Sequence, residues 1–210
     1  MRMRTGTSKA IAGLLLFGLA ANANASPYVV SIQEVGFDVV ATGTGNIDLT
    51  GLTLTRTSGF VAAISPSSNT INLNSIVGAQ EFTGTMSGPP TNIGFGRGSV
   101  FADSSSGPFV SFESSVFLQG VRVFSGYVSD SPVGTSTDTF IGFNFPTLGL
   151  TPGTYEWTWG SGPDQSFTIQ VGPLTRSAVP LPATLPLFAT GLGALGLIGW
   201  RRKQKATLSN

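Results

Sequence analysis

The 210-residue chain contains no cysteine and no histidine. The first absence excludes disulfides and every thiol nucleophile. The second removes the commonest general base and the commonest transition-metal ligand. Charge is scarce too, with Asp, Glu, Lys and Arg together at 10%, so stability has to come from an ordinary apolar core. What charge there is, is partitioned. Arg2, Arg4 and Lys9 lie at the front, and Arg201, Arg202, Lys203 and Lys205 follow Trp200. Residues 26–178 hold only Arg56, Arg97, Arg122 and Arg176 against all ten acids, a formal charge of −6. A nucleic-acid face needs clustered basic side chains. Four scattered arginines do not make one, and no nucleic-acid partner is expected.

The two basic ends have different surroundings. Behind Arg2, Arg4 and Lys9 comes a short apolar stretch over 10–21, then Ala23-Asn24-Ala25 before Ser26. A basic n-region, an apolar h-region and a small-residue cleavage site at Ala23, Ala25 and Ser26 make a secretory signal peptide over 1–25. At the other end, Val179-Pro180-Leu181-Pro182-Ala183 precedes an uncharged, Gly-rich stretch of 16 residues from Leu185 to Trp200. As a helix it would span roughly 24 Å, short against a bilayer core of about 30 Å. It lacks the polar face a buried amphipathic helix would show. Gly191, Gly193, Gly196 and Gly199 weaken a helix in water but are tolerated in lipid. The reading is a marginal transmembrane helix. Its basic stop Arg201, Arg202 and Lys203, with the tail 204–210, stays cytoplasmic under the positive-inside tendency. Everything between the signal peptide and the linker 173–178 is then extracytoplasmic.

That interval, 26–172, reads as β throughout. Tyr28–Ile32, Gly36–Ala41, Ile47–Thr55, Thr70–Val77, Phe109–Phe117, Gly120–Ser129, Thr139–Phe145, Thr154–Trp159 and Ser166–Val171 are rich in Val, Ile, Phe, Thr and Trp. Gly, Pro, Ser and Asn separate them. Short strands at close spacing, without a long helical period, predict an all-β domain: a single antiparallel β-sandwich or jelly-roll-like domain. The clearest unit is the hairpin Leu150–Gly172. There Tyr155, Trp157 and Trp159 alternate onto one face, and Phe167, Ile169 and Val171 alternate on the returning strand. In Gly45–Thr55 the apolar parity changes at Gly51, which marks a bulge or turn. The Pro, Gly and Ser content of Gly84–Ser106 predicts a long loop.

Three groups of residues bear on chemistry. The row Tyr155, Trp157 and Trp159 has the composition of a sugar-stacking platform, but it equally suits a core face closed by Phe167, Ile169 and Val171. Asp38, Asp48, Asp103, Glu113, Asp130, Asp138, Glu156 and Asp164 form no local cluster. A glycosidase needs two carboxylates brought together in space, and loop oxygens can hold calcium. Turn residues and solvated faces account for these acids without either. The GFGRG segment at 94–98 has a phosphate cradle's glycines but no following Lys-Ser or Lys-Thr. No catalytic residue, no metal and no cofactor are therefore expected, and the chain is expected not to be an enzyme.

The C-terminal arrangement resembles a known family of sorting signals. The motif Val179-Pro180-Leu181-Pro182-Ala183, the apolar stretch and the basic cluster, in that order, look like the PEP-CTERM signal in its VPLPA variant. Leu181 stands where the commoner motif has Glu. The resemblance covers about 25 residues, 179–203, and implies a partner, an exosortase-type processing enzyme of a Gram-negative bacterium. It implies an inner-membrane-anchored precursor whose hold on the membrane is transient, then a protein of the cell surface or extracellular space, associated with extracellular polysaccharide and biofilm. The body also resembles, more weakly, the β-rich passengers such tails accompany. Two alternatives stay open: a carbohydrate-binding module using the aromatic row, and a permanently anchored single-span membrane protein.

Overall fold

The structure, a computed structural model, describes residues 26–96 and 98–172. Its strands are β1 Tyr28–Val35, β2 Asp38–Thr44, β3 Thr53–Phe60, β4 Ala63–Ser65, β5 Thr70–Leu73, β6 Ile76–Thr83, β7 Val100–Phe101, β8 Ser104–Ser106, β9 Val110–Ser114, β10 Gln119–Val123, β11 Ser136–Phe140, β12 Gly153–Thr158 and β13 Ser166–Val171. A single helical turn, α1 at Phe145–Leu148, stands between β11 and β12. The strands form two sheets, ordered β12-β13-β1-β2-β11-β8 and β3-β6-β10-β9-β5-β4-β7. The described residues are all-β apart from short helical turns, as the strand pattern of 26–172 predicts. The signal-peptide and transmembrane helices expected at 1–25 and 185–200 lie outside the described residues. Among the described residues, no helix is long and apolar enough to cross a membrane.

Alternation explains why the sheets face one another. β1 buries Tyr28, Val30 and Ile32, β2 buries Val39 and Ala41, and β13 buries Phe167, Ile169 and Val171. From the second sheet Phe112 meets this face, stacking on Phe167 at 4.6 Å between ring centroids and against Trp157 at 4.7 Å. Each large apolar side chain removed from water contributes about 1.5–3 kcal/mol before the entropy of ordering it is set against that. Every strand pair is antiparallel except one. β1 and β13 run parallel, with Tyr28 opposite Phe167 and Ile32 opposite Val171. β13 thus lies between β12 and β1, and just past its end the Gly172 amide donates to the Ile32 carbonyl at 2.9 Å.

Local chemistry accounts for the departures from the expected strands. Residues 47–52 are not a strand but lead into a turn. Gly51 has φ of +87°, and the Leu52 amide closes on the Leu49 carbonyl at 3.0 Å. Thr70–Val77 splits into β5 and β6 because Asn74 takes φ of +63° between them. Thr139–Phe145 stops at Phe140, and the chain then enters α1. There the Asn144 side chain accepts from Thr147 N while the Thr147 hydroxyl accepts from Asn144 N, both at 2.9 Å, a capping box. The expected loop 84–106 is irregular up to residue 99, apart from Arg97, which is not described, but it also carries β7 and β8. The glycine that opens GFGRG has a packing reason. A Cβ on Gly94 would sit 1.8 Å from the Gly149 carbonyl oxygen, where Gly94 bridges to Leu150.

Candidate functional site

The sorting motif Val179–Ala183, the basic residues Arg201–Lys203 and the cleavage residues Ala23 and Ala25 lie outside the described residues. Ser26 is described and exposed, and its carbonyl accepts from the Asn46 amide at 2.8 Å. The aromatic row falls wholly within the structure. Tyr155 is 7%, Trp157 1% and Trp159 8% exposed. Trp157 lies under Phe112 and Tyr155 stacks beside it, with centroids 6.5 Å apart. The polar ends are occupied as well: Tyr155 OH donates to the Thr151 carbonyl at 3.0 Å, and Trp159 Nε1 to the Asp48 carbonyl at 2.8 Å. A sugar ring needs an exposed aromatic face, and this row has none. The sugar-stacking reading of these residues is therefore replaced by a core role.

Four of the scattered acids, Glu113, Asp48, Asp130 and Asp164, fall into two groups, the first of them around Glu81, while Asp38, Asp103 and Asp138 accept separately from the amides of Gly142, Ile141 and Asn74. On the outer face of the second sheet, Glu81 receives Arg56 Nε at 2.8 Å, Arg56 Nη2 at 3.0 Å and Arg122 Nε. Arg122 also donates to Glu113 Oε2 at 2.7 Å and Ser111 Oγ at 3.1 Å, with its guanidinium 4.5 Å from the centre of the Phe60 ring. Burial pushes the Glu81 carboxyl up, but hydrogen bonds and charge from Arg56 and Arg122 outweigh it and leave the group below the ordinary glutamate range. Both its oxygens are saturated, so it offers no free lone pair to a substrate. This is a structural ion network. Neither Glu81 nor its partner Arg122 stood out in the sequence. The only local signal is a charged residue on an otherwise alternating strand.

The second group, Asp48, Asp130 and Asp164, sits where three loops meet. Hydrogen bonds from Thr50 hold the Asp48 carboxyl below the usual range, against the opposing effect of burial. Burial, and after it the neighbouring Asp130 and Asp48 carboxylates, hold that of Asp164 above it.

The β9–β10 hairpin stands open to solvent. Ser115 organises its tip: the Leu118 amide donates to the Ser115 hydroxyl at 3.1 Å, and the hydroxyl donates on to Glu113 Oε1 at 3.0 Å. This local bonding leaves Val116 and Phe117 projecting, 93% and 95% exposed. Grooves of about 540 and 440 Å³ flank the tip. The floor of the second is fixed by Asn69, only 5% exposed, with φ of +49°. Its Nδ2 donates to Asn92 Oδ1 at 3.0 Å and to the Ser114 carbonyl at 3.1 Å, while its Oδ1 accepts from Ile93 N at 2.8 Å. The lining of both grooves is uncharged, made of hydroxyls, amides, the Phe117 ring and the aliphatic Val116, Leu118 and Pro89. Such a surface suits a hydroxylated neutral ligand and places no cation against a phosphate. Comparison with protein-family models, with curated proteins and with solved structures yields no match.

Because Phe117 makes so little contact, Phe117→Ala is expected to leave unfolding free energy within about 0.5 kcal/mol of the parent. A urea titration checks this. A larger loss would mean the ring packs in the folded state and is not free to meet a ligand.

Proposed function

We propose that the chain is an exported, non-enzymatic surface or matrix protein, delivered through a C-terminal signal of the PEP-CTERM type. The observation that carries this is the order of three elements, Val179–Ala183, then Leu185–Trp200, then Arg201–Lys203, in a chain that begins with signal-peptide features. In this reading the basic residues pin the motif at the outer face, since drawing Arg or Lys through a bilayer costs about 2.5–3.5 kcal/mol each on insertion scales. The short apolar stretch holds the precursor until an exosortase-type enzyme acts at the Pro-Ala motif. The absence of His and Cys and the saturation of Glu81 by arginines support a non-catalytic body. If polysaccharide is the partner, the neutral grooves beside Phe117 are the surface with matching chemistry, in place of the buried Tyr155–Trp159 row.

The intact mass of the mature protein from its native host tests this reading. A chain ending near Ala183 is expected, and Pro182→Ala should abolish that processing while membrane insertion persists. Replacing Arg201, Arg202 and Lys203 with Gln should impair processing as well. A mature chain still ending at Asn210 would establish the permanent single-span anchor instead.

A further inference from the structure

Three loops, 45–52, 127–133 and 160–165, meet beside the start of β1. Backbone bonds set their registration: the Asp48 amide donates to the Asp164 carbonyl at 3.1 Å, and the Asp130 amide to the Ile47 carbonyl at 2.8 Å. Asn46 Nδ2 adds a bond to the Asp130 carbonyl at 3.1 Å. Three aspartates from distant parts of the sequence are thereby neighbours.

Their situations differ. Asp48 is well served, its Oδ1 accepting from Thr50 N at 2.9 Å and from Ser129 Oγ at 3.2 Å. Asp164 is not. The residue is 1% exposed, and both of its carboxylate oxygens are buried without a hydrogen-bond donor. The nearest charges are of its own sign, with Asp130 within hydrogen-bonding reach and Asp48 beyond it. The single proton of the nearby Tyr127 hydroxyl is committed to backbone carbonyls, those of Ser131 at 2.7 Å and Ile47 at 3.0 Å. The two described arginines, Arg56 and Arg122, are both engaged at Glu81. A buried carboxylate without a donor or counter-charge is costly by several kcal/mol, so the loops hold a site whose charge nothing among the described residues balances.

We propose that Asp164 and Asp130, with Asp48 beside them, bind a calcium ion where the three loops meet. Calcium takes carboxylates, backbone carbonyls and water in an irregular shell, which suits loop oxygens. Magnesium requires a near-ideal octahedron, and zinc prefers the His and Cys that the chain lacks. Among the described residues, no three His, Cys, Asp or Glu side chains already converge as a metal-ligand set. Two carboxylates therefore close on the ion, with carbonyls and water filling the shell and Asp48 contributing charge. That composition corresponds to the weak class of extracellular calcium sites, with a dissociation constant on the order of 10⁻⁴–10⁻³ M. Asp130 is exposed, giving the ion a path from solvent. The composition alone predicts a body without metal, and the stranded Asp164 carboxylate is the reason to revise that. The proposal does not depend on how the tail is processed.

The test uses the full chain stripped with chelator, then titrated with calcium chloride to about 10 mM, the upper end set by that affinity class. One calcium per chain is expected by isothermal titration calorimetry, together with a rise in Tm of roughly 3–6 °C at ten times the dissociation constant. Magnesium at the same concentration should give less than half the rise. Asp164→Asn and Asp130→Asn should each abolish it. Asp164→Asn should also match or exceed the parent's Tm without calcium, because it removes an unbalanced buried charge, so its lost response cannot be put down to misfolding. No calcium-dependent change in the parent overturns the proposal, and so does a rise that survives both substitutions.

Discussion

Replacing Arg122 with Met is expected to cost about 3–5 kcal/mol of unfolding free energy, the range for removing one partner of a buried ion pair. Arg122 and Glu81 have side chains only 3% and 2% exposed, and Arg122 also bridges to the partly buried Glu113. Met fills much of the volume, so the loss is mainly electrostatic: Glu81 keeps Arg56 alone, and Glu113 loses its cation. The contrast with Arg56 tests the argument. Arg56 holds the same carboxylate, but its side chain is 54% exposed. Arg56→Ala should therefore cost no more than about 1 kcal/mol. Adding Glu81→Gln to Arg122→Met should return part of the loss, because it removes the stranded charge. Urea denaturation with matched m-values checks all three variants. A loss below about 1 kcal/mol for Arg122→Met would show that water reaches this network and screens it.

Trp157→Ala should be comparably severe, at about 3–5 kcal/mol, the range for emptying a large aromatic site in a core. Trp157 joins three parts of the molecule. Its backbone belongs to β12, its ring lies against Phe112 of the opposite sheet, and the irregular segment after β6 closes over its edge. The contact there is tight enough that a Cβ on Gly88 would lie 2.0 Å from Trp157 Cδ1. Trp157→Phe should retain most of the stability by keeping a ring against Phe112. The guanidinium midpoint is the measurement. Near-parental stability in Trp157→Ala would be the behaviour of a ligand platform and would overturn the core assignment. Since total stability for a domain of this size is about 5–15 kcal/mol, either severe variant removes a large share of it.

How much could be read from the sequence follows from which strands have one buried face. β1 and β12 alternate between buried and more exposed positions and stand where the sequence places them; β13 alternates in sequence, though Ser166 and Thr168 on its other face are buried as well. β3 has almost every side chain exposed and so carries no alternation, while β7 and β8 are two and three residues long, too short to show a period. Alternation marks Tyr155, Trp157 and Trp159 as one face, but parity alone does not say whether that face meets solvent or another sheet. Phe112, from a strand far back in the chain, decides it. The same limit hides the sites. Asp48, Asp130 and Asp164 are neighbours only because Ile47 and Asp48 hydrogen-bond to loops much later in the chain. Arg122 follows Val121 and precedes Val123 like any outward residue of an alternating strand, yet Phe60 covers it. Conversely, the expected strand Phe109–Phe117 ends early because the Ser115 hydroxyl captures the amides of Phe117 and Leu118 at 3.3 and 3.1 Å, a local bond that strand propensity does not register.

The parallel pairing of β1 with β13 has a mechanical consequence. The chain comes into this pair at Tyr28, beside Phe167, and leaves it at Gly172, beside Ile32, at the opposite end. Tension applied between these two points runs along the strands and across their hydrogen bonds. The five paired positions with β1 are therefore loaded together in shear, and none can peel open ahead of the rest. β12, paired with β13 at six positions on its other side, shares the load. A hairpin pulled from its open end would unzip one bond at a time. This geometry resists as a block, and its rupture rate under force is set by the unfolding barrier of the whole sheet.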